Sequence, residues 1–217
     1  MTAARRFTRN ELESFHGARV DDLIGPGVRL LFVGINPGLW TAAVNAHFAR
    51  PGNRFWPALH LAGIMPRRVD ASRGMPPADR ERLLEAGVGI SNLVPFATAR
   101  AAELTAEQLR AAVPPLAALV GRARPRVVAV LGLTAFRLAF GDRKALPGRQ
   151  PTTLDGSQLW VLPNPSGLNA HETPVSLAAA YREAAVAAGV VADLDRPFRE
   201  DPAPGGHRRS RTDRPEQ

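Results

Sequence analysis

The chain has no cysteine. Disulfides, thiolate nucleophiles, iron–sulfur clusters and cysteine-bound zinc are therefore excluded. Lysine is nearly as scarce. Lys144 is the only one, so the formal charge of +8 and the isoelectric point near 11.4 are carried almost wholly by arginine. No apolar run reaches the roughly 18 residues a membrane-crossing helix needs. The basic start at residues 1–9 leads into Glu11-Leu12-Glu13 rather than an apolar leader core. A soluble, cytosolic protein without membrane association is the expectation. The five histidines, His16, His47, His60, His171 and His207, stand singly, without the close pairing of a helical metal site, and no metal is expected. A GxxxxGK[ST] phosphate loop is missing, and Gly87-Val88-Gly89 lacks the strand-turn-helix setting of a dinucleotide fingerprint. Nucleotide-phosphate chemistry is disfavoured on that ground.

What is present suits one ordinary domain: 217 residues, 45% of them hydrophobic, are enough to bury a substantial core. The organisation expected is a polar lead-in at 1–18 with a short helix at 9–15, a globular unit at 19–195, and a disordered basic tail at 196–217 that is rich in Pro, Gly and charge. Within the unit, strands are expected at 28–33, 88–94, 127–131, 152–154 and 158–162, the last two joined by the hairpin signal Asp155-Gly156. Helices are expected at 54–64, 78–86 and 134–140. Another opens at the Thr105/Gln108 capping box and is interrupted at Pro114-Pro115. A last helix starts at Thr173-Pro174, carries Leu177, Tyr181, Ala184 and Ala188 on one face, and ends at Gly189. Alternating β and α elements predict an α/β fold, a three-layer α/β/α sandwich with a mainly parallel sheet of about four strands.

Two turns concentrate the chemistry. Gly34-Ile35-Asn36-Pro37-Gly38 follows directly on the first apolar run, and Pro163-Asn164-Pro165-Ser166-Gly167-Leu168-Asn169 follows the last. In an open α/β sheet ligands bind outside the carboxyl ends of the strands, so the two turns are expected to face each other across a site. Glycines flanking Asn36-Pro37 allow close backbone approach, and Pro37 biases Asn36 away from helix. A neutral amide is a poor base. Asn36 therefore either orients a water or a polar ligand edge, or only closes its own turn. In His47-Phe48-Ala49-Arg50-Pro51-Gly52-Asn53-Arg54-Phe55-Trp56, Phe55 and Trp56 fit a helix core, while Phe48 fits a stacking platform for a planar base. Arg50, Arg54 and Ser166 are the candidate phosphate contacts. Leu168 is either an apolar wedge for a base stack or a packed cap.

Three segments, Gly34 to Leu39, Phe48 to Trp56 and Leu162 to Leu168, resemble in the same order the signature segments of the mismatch-specific uracil/thymine-DNA glycosylases, within a similarity that covers about residues 23–186. The resemblance implies a uracil-glycosylase-like sandwich and a monofunctional glycosylase without cofactor, acting as a monomer on double-stranded DNA. Its substrates would be uracil, thymine or exocyclic pyrimidine adducts mispaired with guanine, and their removal starts base excision repair. It further implies that Asn36 positions the water that attacks C1′, that Ile35 and Phe48 frame the base pocket with Phe48 stacked on the base, and that Thr41 lies near the pyrimidine. Asn164 would sit beside the departing base, with Gly167, Leu168 and Asn169 forming the loop that enters the duplex. Two positions depart from the best-known bacterial relatives: Asn92 stands in place of a lysine and Ala170 in place of an arginine, and 171–174 resembles an insertion. The rival reading is a DNA damage or mismatch sensor that binds without cutting.

Overall fold

The structure, a computed structural model, describes residues 7–167, 169 and 172–192. The anticipated basic tail and the wedge residue Leu168 lie outside the described residues, as do Ala170 and His171. Three strands alternate their side chains between two separate apolar layers, as strands buried on both faces must. In β1 (Leu30–Gly34) Leu30 and Phe32 enter one layer while Leu31 and Val33 enter the other. The same alternation runs through β3 (Val127–Leu131) and β5 (Ser157–Leu162), where Trp160 and Leu162 face the first layer and Leu159 and Val161 the second. Each such side chain contributes roughly 1.5–3 kcal/mol by leaving water.

The sheet order is β2-β1-β3-β5-β4. β2 (Val88–Asn92), β1, β3 and β5 are parallel, and β4 (Gly148–Leu154) pairs antiparallel with β5 as an outer strand. The sheet thus has the expected parallel strands plus an antiparallel edge, and Pro151 sits in that edge strand, where a missing donor does least harm. Asp155 and Gly156 both take positive φ in the connecting hairpin turn. The chain leaves β1 toward β2 on one side and returns to β3 on the other. That switch point opens a crevice at the carboxyl end of β1.

Side-chain caps fix the starts of three helices. Thr8 with Glu11, Thr105 with Gln108 and Thr173 with Ser176 form capping boxes at the starts of α1 (Arg9–Glu13), α5 (Ala106–Ala111) and α8 (Pro174–Ala188). The Pro114-Pro115 interruption becomes the first turn of α6 (Val113–Ala123), where prolines lose no hydrogen bond. α4 (Pro77–Glu85) and α7 (Leu133–Phe140) shift by one residue from expectation. α3 (Phe55–Leu61) is shorter than 54–64 because the chain turns away at Gly63, with Ile64 and Met65 both donating back to the Leu59 carbonyl. α2 (Leu39–Val44) was not anticipated, since six residues show no helical period.

α3 and α8 cover the first layer, and α5, α6 and α7 lie over the second. The predicted face of α8, Leu177, Tyr181, Ala184 and Ala188, is wholly buried. Tyr181 donates its hydroxyl to the Pro163 carbonyl at 3.1 Å, anchoring the turn after β5, and burial pushes its phenol pKa well up.

Candidate functional site

A cavity of about 350 Å³ opens at the carboxyl ends of the central strands, a size suited to a small organic ligand. It brings together Ile35, Asn36, Thr41, Phe48, Arg50, Asn164 and Ser166, so the two predicted turns do meet at one site. Among the described residues no carboxylate lines it, and the charged lining residues are Arg50 and Arg100. Hydrolysis here would have to proceed with neutral amides and a positive rim.

Asn36 is held by groups far away in sequence. Its Nδ2 donates to Thr98 Oγ1 at 2.8 Å, to the Phe96 carbonyl at 3.2 Å and to the Pro37 carbonyl at 3.1 Å. Thr98 donates its own hydrogen to the Arg100 carbonyl at 2.9 Å, so it must act as an acceptor toward Asn36. This fixes the amide's orientation, and Oδ1 is left with no protein donor among the described residues. Neither is it sealed from solvent. The turn itself is braced on the same segment, with Leu93, Val94 and Thr98 donating to the carbonyls of Gly34, Ile35 and Pro37. Asn36 is thus more than a turn closer, since two of its three partners lie about 60 residues downstream.

Asn164 has the opposite arrangement. Its Oδ1 accepts the Ser166 backbone N–H at 2.9 Å, and its own carbonyl accepts from Asn169 Nδ2 at 3.2 Å. The Nδ2 end therefore remains as a donor with no protein acceptor among the described residues.

Phe48 is half-buried at the cavity wall in a left-handed conformation, φ 54°, which a bulky residue rarely adopts. Its ring stacks on the buried Phe55 at 4.0 Å between centroids and 23° between planes. The adjacent His47 carbonyl accepts from Trp56 Nε1 at 3.1 Å, which holds this loop on the helix. Phe55 and Trp56 are core residues, as their spacing indicated. Gly34 is required beneath this wall: a Cβ there would lie 2.6 Å from Asn92 Oδ1 and 3.2 Å from Phe48 Cζ. Thr41 is buried and lines the cavity.

Arg54 is corrected. Its guanidinium does not face outward toward phosphates but turns in to donate to the carbonyls of Ser166, Glu172 and, at 2.7 Å, Asn169. Its backbone N–H donates to the Pro165 carbonyl at 3.0 Å. The residue clamps the second turn, leaving exposed Arg50 and Arg100 as the cations that line the cavity. Gly167 lies so close to the Gly52 carbonyl that a Cβ would approach within 2.7 Å, which draws the loop around Gly52 and the second turn into direct contact.

Thr98, His47 and Arg100 were missed as site residues. Thr98 and Arg100 lie in an irregular loop without local signal, whereas His47 stood next to Phe48 in a stretch already singled out.

The family model described as the uracil DNA glycosylase superfamily matches residues 22–187, most of the chain, and the protein belongs to that superfamily. Glycosylase action on uracil in DNA, within base excision repair, follows at the level of the superfamily. Among the described residues no helix is long and apolar enough to cross a membrane.

Proposed function

From membership of this superfamily, we propose that the protein is a monofunctional glycosylase specific for mispaired pyrimidines, above all uracil opposite guanine, in double-stranded DNA. A G·U or G·T pair is cheaper to open than a proper pair, and the extruded base enters the cavity. The observation that carries the reading is the Asn36 amide at the cavity, whose hydrogens are committed to Thr98, Phe96 and Pro37 while its oxygen has no protein donor among the described residues. That oxygen accepts one hydrogen of a water and leaves a water lone pair aimed at C1′.

The N1–C1′ bond breaks with its electron pair leaving on the uracil, which departs as an anion. The water oxygen bonds to C1′, loses its proton to solvent, and an abasic sugar remains. Phe48 stacks on the base, Ile35 and Thr41 frame it, and Asn164 offers its Nδ2 hydrogens to the developing negative charge. Such preorganised donors are commonly worth a few kcal/mol each. Arg50 and Ser166 meet backbone phosphates, and residues 167–169 enter the duplex with Leu168 as the wedge. The catalytic unit is residues 19–195, with the basic tail outside it.

Because no carboxylate lines the cavity among the described residues, the rate depends on the leaving group. Uracil and electron-poor pyrimidine lesions are cut faster than thymine. Single-turnover excision from G·U, G·T and ethenocytosine duplexes tests this, and G·T as the fastest would overturn it. Asn36→Ala should lower the rate about 100- to 1,000-fold while leaving duplex binding intact. A wild-type protein that binds mispairs but yields no alkali-labile strand is a sensor, and the proposal fails.

A further inference from the structure

The segment that fixes Asn36 is itself held from its other edge. Residues 96–98 run between two neighbours, Thr98 bridging to Gly38 on one side and Phe96 to Arg19 on the other. In extended chain, the backbone groups of successive residues point to opposite edges. Toward the Asn36 turn, the Phe96 carbonyl accepts from Asn36 Nδ2 and the Thr98 N–H donates to the Pro37 carbonyl. Ala97, between them, faces away. Its N–H donates to the Ala18 carbonyl, and its carbonyl accepts from the Gly17 N–H, both at 2.8 Å. We infer that residues 8–18 are a positioning element for the reaction: acting through Ala97, they hold the strand that orients the Asn36 amide. None of them lines the cavity, and they precede the stretch 22–187 matched by the superfamily model. The inference rests on the glycosylase reading above.

What ties this lead-in down is mainly apolar. Leu12, Phe15 and Ala18 pack on a third, small cluster made of Val20, Leu39, Ala42 and Ala97, and Phe7 sets its ring edge-on to Trp40 at 4.9 Å. Leu39, Trp40 and Ala42 belong to α2, the helix that leaves the Asn36 turn. The lead-in therefore joins both neighbours of Asn36, the helix that follows it and the strand that grips its amide. The contact between His16 Nε2 and Glu103 Oε2 at 3.6 Å joins two exposed side chains and adds little.

Ala97 is wholly buried, so once the lead-in lifts away, its backbone donor and acceptor must be met by water. Water reaches them only if residues 96–98 shift. Thr98 Oγ1 and the Phe96 carbonyl then no longer converge on Nδ2, the amide is free to turn over, and its hydrogens replace its oxygen toward the attacking water. The cost falls on the rate rather than on duplex binding, because Asn36 acts on the water and not on the DNA backbone.

The test measures single-turnover excision of uracil opposite guanine by the full chain as wild type, Phe15→Ala and Phe15→Leu, each with Asn36 and with Asn36→Ala. With Asn36 present, Phe15→Ala should lower the rate about ten-fold, while the dissociation constant for the mispaired duplex moves less than about two-fold. Phe15→Leu keeps the apolar contact and should retain most of the rate. In the Asn36→Ala background, Phe15→Ala should cost less than about two-fold, because no amide is left to orient. A merely structural loss would lower both backgrounds by the same factor. Such equality, or an unchanged rate with Asn36 present, overturns the inference and leaves the glycosylase reading standing. Leu12→Ala, a smaller cut into the same contact, carries the cycle should Phe15→Ala fail to fold. No excision by wild type overturns both.

Discussion

Asn36 and Asn164 occupy equivalent stations: each is followed by proline, and each begins the turn at the carboxyl end of a buried parallel strand. They nevertheless present opposite ends to the cavity. Asn36 gives its N–H groups to a loop about 60 residues away and keeps an acceptor, whereas Asn164 gives its oxygen to Ser166 two residues away and keeps a donor. In the proposed reaction both have a use, an acceptor for the attacking water and a donor for the departing anion. One dipeptide supplies both because its surroundings differ.

Replacing each amide by a carboxylate should expose that difference most strongly. Asn36→Asp sets a charged oxygen against the Pro37 and Phe96 carbonyls, and should cost about 2–3 kcal/mol of stability with no gain in excision. Asn164→Asp retains the bond from Ser166 and loses only the open donor, so stability should change by less than about 1 kcal/mol while excision falls roughly ten-fold. Chemical denaturation and single-turnover assays measure both. Equal destabilisation by the two changes would break the comparison.

Arg54→Met comes next. It keeps the aliphatic stem but strips the carbonyls of Ser166, Asn169 and Glu172 of a donor. A loss of about 1–3 kcal/mol is expected, together with faster proteolysis confined to the second turn. Asn36 should keep its bonds, so excision should fall mainly through weaker DNA retention. If Arg54 instead contacted phosphates, stability would not move and only the salt dependence of binding would flatten.

The smallest effect is a dependence on pH. His47 is held below its ordinary pKa of 6.5 by burial, so as pH falls the unfolded chain takes up a proton before the folded one does. Its contribution is complete above about pH 6.5 and is lost below that, at no more than about 1.4 kcal/mol per pH unit for one proton. Denaturation midpoints at pH 7.5 and 5.5 should differ more for wild type than for His47→Asn. An identical difference in the two proteins would place the titrating group elsewhere.

Much of the frame was legible because its causes are local. The run 127–131 is β-branched and apolar throughout and became β3, the Thr105/Gln108 and Thr173-Pro174 signals opened α5 and α8, and Asp155-Gly156 closed the β4–β5 hairpin. Glycines and prolines around the two turns likewise announced rigid, polar ends to buried strands. α2 escaped notice because it is short and stabilised by burial of Leu39, Thr41 and Ala42 rather than by periodicity. Arg54 was misread because a cation in a basic loop gives no sign, in sequence, of three carbonyls more than 110 residues away.

Amino-acid order alone determined that two asparagines would stand on strand-end turns beside an aromatic loop, since spacing, turn chemistry and apolar alternation act over a few residues. Which end of the Asn36 amide meets the cavity was decided only by folding, whereas Asn164 is set by its own turn through Ser166. An amide has two ends of similar shape and opposite hydrogen-bonding character, and Thr98 and the Phe96 carbonyl choose between those of Asn36 only once the fold has brought them within 3.2 Å.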